Sequence, residues 1–261
     1  MVRQLAAQLW QARSAGKIVP VSSIDPPADE DAAYAVQEAI SDIAAADAAK
    51  IVGFKVGATT DAGVAALNLT EPFHGPLLDR YCHLSGGEVA LSSQHQVLIE
   101  TEIAVGLGDD LPPRETDYEE RDVLSAASWI APAFELVATR FDIQLAGNGK
   151  LLIADGGVNA GFVLGEKSSE WDSLDLSQHP VTLLINDQEA ASGHSGMSMF
   201  GNPFRVVTWL ANHRQLHRRG LKMGDIITTG TCTGMTPIQA GDHASANLGP
   251  LGTVALAATG S

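Results

Sequence analysis

At 261 residues the chain is long enough to bury a core of its own without disulfide staples. A formal net charge of −15 excludes a nucleic-acid surface, because binding phosphate needs a basic face. Cys82 and Cys232 are the two cysteines and form no Cys-x-x-Cys, no apolar run approaches the roughly 20 residues that span a bilayer, and no apolar signal core opens the chain; the expectation is a cytoplasmic protein with neither nucleic acid nor membrane as a partner.

The first elements read as helices. Leu5, Leu9 and Trp10 fall at helical spacing before Gly16, and Pro26-Pro27 then breaks the chain. Asp29 is placed to cap a second helix, whose stripe of Ala33, Val36, Ile40, Ile43 and Ala44 runs to about Ala49. From Ile51 onward the pattern changes to short apolar runs bounded by glycine, which read as strands at 51–56, 77–78, 97–105, 130–137, 161–164, 181–185, 226–229 and 254–257. Two helices interrupt them. One covers about 118–128, and the other opens with Asn202 as cap and Pro203 in its first turn and stops at Gly220. Strands gathered together with few helices predict an α+β protein with a mixed, barrel-like sheet. Its helical N-terminal region spans 1–50 and its mixed-β catalytic part 51–261, as one structural unit.

The strand from Val97 to Val105 carries Glu100 and Glu102 two residues apart, hence on one face, with Ile99 and Ile103 on the other. Glu135 sits in an equally apolar run from Ile130 to Val137. Buried carboxylates are paired, protonated or metal-bound, and three of them suit a hard divalent cation such as magnesium or manganese. Two blander readings stand beside this one. The glutamates of the first strand could line a solvated face, and Glu135 could pair with Arg140.

Lys55, flanked by apolar residues and glycines, is either a snorkelling surface lysine or an active-site cation. Asp79 closes an apolar run, where a turn acid is ordinary. His213 and His217 stand four apart, but among Arg214, Arg218 and Arg219 they read as the solvated, basic end of a helix. Gly106-Leu107-Gly108 is no dinucleotide fingerprint, and no serine occupies a nucleophile elbow.

In chain order, Gly53-Phe54-Lys55-Val56-Gly57, the run Glu71 to Asp79, Ile99-Glu100-Thr101-Glu102-Ile103-Ala104, Pro132-Ala133-Phe134-Glu135-Leu136, Ala154-Asp155, Gly201-Asn202-Pro203 and Leu221-Lys222-Met223-Gly224-Asp225 together resemble the 2-keto-4-pentenoate hydratase family, which includes 4-oxalocrotonate decarboxylases and belongs to the fumarylacetoacetate hydrolase superfamily. The resemblance implies a mixed-β roll behind an N-terminal helical region, a Mg2+ cofactor (Mn2+ as the alternative) on Glu100, Glu102 and Glu135, and Lys55 and Asp79 as catalytic residues. It further implies substrate contacts from Leu78, Asp155, Gly156 and Val158, and a homo-oligomer, with a complex with a pathway neighbour as a further option. The implied reaction is addition of water to a small 2-hydroxy-2,4-dienoate in aromatic-compound catabolism. Decarboxylation of a 2-oxo-3-enedioate, hydrolysis of a β-diketone and a non-catalytic partner subunit are the alternatives. The chain departs from the family pattern twice. Ala138-Thr139-Arg140 stands where Asp-Ser-Arg is usual, and Gly156-Gly157-Val158 where Asn-Ala-Ser or a close variant is common.

Overall fold

The computed structural model describes residues 2–171, 173–216 and 219–260. In chain order its elements are α1 (Val2–Ala15), α2 (Glu30–Ala46), β1 (Ile51–Gly57), α3 (Asp61–Leu67), β2 (Phe73–Leu78), β3 (Cys82–Leu84), β4 (Gly87–Leu91), β5 (Val97–Leu107), α4 (Glu120–Ala126), β6 (Ala127–Val137), α5 (Gly149–Ala154), β7 (Asn159–Leu164), β8 (Pro180–Ile185), β9 (Gln188–His194), α6 (Pro203–Asn212), β10 (Ile226–Thr231), β11 (Thr236–Ile238), β12 (His243–Asn247) and β13 (Thr253–Gly260). Asp29 caps α2 as its position predicts, accepting from the Ala32 N–H at 2.8 Å. The apolar stripes of α1 and α2 meet, and Leu5, Leu9, Val36 and Ile40 share a cluster with Phe73, Leu78, Phe141 and Ile153.

The strands form two mixed sheets. One runs β2-β1-β10-β5-β6-β7-β3, with β11 pairing along the edge of β5 that β10 leaves uncovered; the other runs β4-β13-β12-β8-β9. Between them lies the main core, where Ile99, Ile103, Phe134 and Leu136 of the first sheet meet Val181, Leu183, Val254 and Leu256 of the second. This packing fixes the register of β5. With Ile99 and Ile103 turned into the core, strand alternation turns Glu100 and Glu102 to the opposite face of the sheet. That α+β architecture of two mixed sheets is the expected one.

Two details differ from the sequence reading. Helix α4 ends at Ala126, and β6 begins directly at Ala127. Helix α6 ends at Asn212 rather than Gly220, because His213 takes extended backbone (φ −69°, ψ 127°) and its ring turns inward. His213 is therefore buried and not on a solvated face; His217 and Arg218 lie outside the described residues. The His213 ring packs at 4.9 Å from His74, 5.5 Å from Tyr34 and 4.8 Å from Trp209.

Burial first, then the positive charge of Arg214, depresses His213 to about 4; burial and His213 push His74 well below its ordinary value. Glu71, 3.8 Å from His213 and partly open to water, does not offset this. Groups depressed in the fold bind their protons only after unfolding, so their contribution is complete above pH ~6.5 and disappears as pH falls toward the folded value. Thermal melts should therefore show wild type losing stability between pH 6.5 and about 4 relative to a His213→Phe variant, whose own slope is flatter. Parallel slopes for the two proteins would contradict the buried neutral pair.

Candidate metal centre and active-site cavity

Strand register brings the three glutamates together. On the face of the first sheet turned away from the main core, Glu100 of β5 stands directly opposite Glu135 of β6, and Glu102 opposite Ala133. One carboxylate oxygen from each of Glu100, Glu102 and Glu135 lies within 4.8 Å of the others. Glu102 and Glu135 are completely buried. The solvated-face reading of these strands is thus excluded.

Lys55 is the partner of Glu135. It reaches from β1 with Nζ 3.1 Å from Glu135 Oε2, and both side chains are buried. Arg140, the partner considered from sequence, instead holds Asp155: Nε donates to Asp155 Oδ1 at 2.7 Å, and the two terminal nitrogens donate to the carbonyls of Ala138, Asn159 and Asp155. Asn159 Nδ2 donates to Glu135 Oε1 at 3.1 Å. A register shift where β10 passes β5 frees the Gly230 N–H from the ladder, and it donates to Glu102 Oε2 at 2.8 Å. Only glycine fits there: φ is +88°, and a Cβ would sit 2.2 Å from Thr59 Oγ1.

These contacts leave the cluster short of positive charge. Glu102 Oε1 is buried with no hydrogen-bond partner, and one ammonium faces three carboxylates. Burial, then repulsion from Glu135, pushes Glu100 up to about 7, against the opposing pull of Lys55 and the Thr231 hydroxyl. Burial, followed by Glu135 and Glu100, also raises Glu102 well above the ordinary carboxylate range. An all-oxygen donor set with an orphaned buried oxygen and excess negative charge fits a hard divalent cation. Below about pH 7 such a cation must displace a proton from Glu100.

A cavity of about 300 Å³ opens over this cluster, with Lys55, Glu100, Phe73, Val137, Val158 and Thr231 in its wall. Gly57 and Gly157 make room for the lysine: a Cβ at Gly57 would lie 3.0 Å from Nζ, and one at Gly157 3.2 Å from Cδ. Phe73 covers the ammonium, with its ring centroid 5.1 Å from Nζ. Burial alone would lower the Lys55 pKa, but Glu135, Glu100 and Glu102 outweigh it and hold the lysine above its ordinary value. The expected downward shift is thus reversed while the carboxylates carry their charge.

The remaining sequence candidates divide. Val158 is in the cavity wall. Leu78 packs instead in the apolar cluster under α1 and α2. Asp155 is spent on Arg140 and the Thr139 hydroxyl, so its carboxylate positions the loop rather than a substrate. Gly156 contributes backbone behind the lysine, its carbonyl against Gly75. Asp79 is the clearest correction. Its carboxylate accepts from the backbone N–H groups of Lys50 and Arg80 at 2.9 and 2.8 Å, at the end of β1 remote from Lys55. Five residues of extended strand separate it from the lysine, roughly 17 Å. Those hydrogen bonds, Lys50 first, hold it below the usual carboxylate range. Asp79→Asn should accordingly cost stability, about 1 kcal/mol, and leave kcat within a factor of about three; a hundredfold fall in steady-state kcat would return Asp79 to the mechanism. Phe73 and Asn159 were missed as site residues. Alternation from Gly75 would have placed Phe73 beside Lys55, and an asparagine heading an apolar strand is the signal for Asn159.

Residues 82–257 match the model of the fumarylacetoacetate (FAA) hydrolase C-terminal family. The chain is 30% identical to a 2-keto-4-pentenoate hydratase of Burkholderia vietnamiensis over 257 residues, covering 97% of this chain and 95% of that one. It belongs to the 2-keto-4-pentenoate hydratase branch of the fumarylacetoacetate hydrolase family. A second member, the 2-hydroxyhexa-2,4-dienoate hydratase of Comamonas testosteroni, is 30% identical over 255 residues, 95% of this chain and 94% of that one. Among solved structures, a 4-oxalocrotonate decarboxylase from Pseudomonas putida G7, complexed with magnesium and adipate, superposes with a TM-score of 0.87 at 27% identity, covering 98% of this chain and 97% of the other. The same enzyme has also been solved with calcium and acetate.

Proposed function

We propose that this protein is a lyase that hydrates a 2-hydroxy-2,4-dienoate to a 4-hydroxy-2-oxo acid, with a magnesium-class cation held by Glu100, Glu102 and Glu135. The observation that carries the reading is the convergence of three buried carboxylates and Lys55 at the head of one cavity. The hydratase relatives support the choice of reaction. Decarboxylation of a 2-oxo-3-enedioate is the second reading, favoured by the likeness to the decarboxylase structure. The acidic, cysteine-poor composition supports a cytoplasmic setting, and the family resemblance supports a homo-oligomer.

The bound cation would supply Lewis-acid stabilisation of negative charge on the substrate's C2 oxygen. The chain does the rest. Glu102 is fixed by the Gly230 N–H and Glu135 by Asn159, so the ligands are oriented in advance. Lys55 Nζ is the proton carrier of the cavity: it is buried, and its protonation is set by the carboxylates beside it. Where their charge is neutralised, burial takes over and the lysine gives up its proton more readily. Phe73 and the apolar wall keep bulk water from the ammonium. Assay of the purified protein with 2-hydroxypenta-2,4-dienoate and with 2-oxohex-3-enedioate, with magnesium and with chelator, tests the reading. A magnesium-dependent 4-hydroxy-2-oxo product, identified by mass spectrometry, is the expected result; carbon dioxide release from the dioate alone would favour the second reading.

A further inference from the structure

Resting on the dienoate reading above, we infer that the far end of the substrate is uncharged and apolar, an alkyl chain rather than a second carboxylate, and that Val137, Leu145, Leu152 and Val158 select it. The direction of the cavity follows from strand register. Glu102 pairs with Ala133 and Glu100 with Glu135, and the next pair on the same face is Leu98 with Val137. That pair lies one side-chain repeat beyond the ion ligands, roughly 7 Å along the strands. Here the wall becomes hydrocarbon: Val137, Leu152 and Val158 form one buried cluster, with Leu67, Leu98 and Leu145 packed against it.

The charges sit at the other end. Among the described residues, Lys55 and Glu100 are the charged side chains that line the cavity, and Lys55 is engaged by Glu135. The guanidinium of Arg140 lies close by in sequence, but it faces a different cavity, and each of its three nitrogens already donates, to Asp155, Ala138 and Asn159. Among the described residues no other cation lines the cavity to meet a distal carboxylate, and an unpaired carboxylate against this wall is strongly disfavoured. Val158 shows how the wall is built. Its φ is +54°, a strained value for a β-branched residue, and it follows Gly156 and Gly157 at +65° and +70°. Its carbonyl is held by the Ala138 N–H at 3.0 Å. Of the two departures from the family pattern, Val158 thus stands in the cavity wall, while Ala138 reaches it only through that backbone hydrogen bond, its side chain lying in the main core.

Calorimetric titration of the magnesium-loaded protein with saturated 2-oxo acids reads this without turnover. 2-Oxopentanoate, 2-oxohexanoate, 2-oxooctanoate and 2-oxoadipate form the series. Affinity should rise about three- to fourfold per buried methylene, giving 2-oxooctanoate at least a tenfold advantage over 2-oxopentanoate. 2-Oxoadipate should bind at least tenfold more weakly than 2-oxohexanoate, which has the same chain length. Leu145 is partly exposed, so Leu145→Arg should fold and should improve 2-oxoadipate binding about tenfold. Affinities that stay flat along the series, or that favour 2-oxoadipate in the wild type, would overturn this inference alone. No binding of any 2-oxo acid in the presence of magnesium would overturn the dienoate reading and this inference with it.

Discussion

Glu135→Gln is expected to lower metal-dependent turnover by at least about a thousandfold, the rate equivalent of several kcal/mol of lost charge stabilisation. The substitution is nearly isosteric, and its carbonyl can still accept from Asn159 Nδ2, which lies 3.1 Å from Oε1 in the native chain. The fold should therefore survive. Without a cation it relieves repulsion, because Glu135 is a leading cause of the raised pKa values of both Glu100 and Glu102, but it also removes the carboxylate that pairs with Lys55. Carboxyls raised in the fold favour folding where they are protonated, and that contribution is lost as pH rises through their folded values, about 7 for Glu100. Above pH 7 the metal-free wild type carries this repulsion, and Glu135→Gln relieves part of it. Thermal melts at pH 8 with and without magnesium separate the effects. Wild type should be strongly stabilised by magnesium, since a ligand bound only to the folded state adds RT ln(1 + [L]/Kd). The variant should respond little. A variant that melts like wild type under both conditions would remove Glu135 from the ion site.

Lys55→Met should reduce kcat by roughly two to four orders of magnitude, the range for a lost acid–base group, while magnesium still binds. Lys55 Nζ lies 3.1 Å from an oxygen of Glu135, so the ammonium and the cation compete for the same carboxylate. Removing the ammonium should leave magnesium affinity unchanged or tighter, and methionine keeps most of the volume that packs on Gly157 and under Phe73. Single-turnover kinetics and magnesium titration on the same preparation give the two numbers. A fall in magnesium affinity that accounts for the whole rate loss would make Lys55 a structural counter-ion.

The carboxylate cluster was legible because the chemistry is local. Two glutamates at strand spacing must share a face, and the isoleucines on either side of them, Ile99 and Ile103, announce which face meets the core. What the sequence left open was the pairing of β5 with β6, a contact across more than thirty residues that sets Glu100 against Glu135. Pairing also decided the cations. Lys55 and Arg140 were both available to Glu135, and the parallel contact of β1 with β10 beside β5 gave it the lysine. Asp79 misled because its run ends in an acid, and a run shows no direction. The antiparallel ladder places Phe73, not Asp79, at the lysine end of β2. Short helices such as α3 and α5 escaped notice because seven or six residues carry too little periodicity to register. Strands β9 and β12, small and polar along much of their length, were invisible for the complementary reason: they carry few apolar residues to mark them.

The central claim is that Glu100, Glu102 and Glu135 hold one divalent cation. Anomalous diffraction from crystals grown with manganese tests it without reference to activity. A single strong manganese peak within bonding distance of all three carboxylates is expected in wild type, absent from Glu102→Gln and Glu135→Gln crystals of the same form. A wild-type cluster that stays empty at manganese concentrations supporting turnover, or a peak elsewhere that both variants retain, would contradict it.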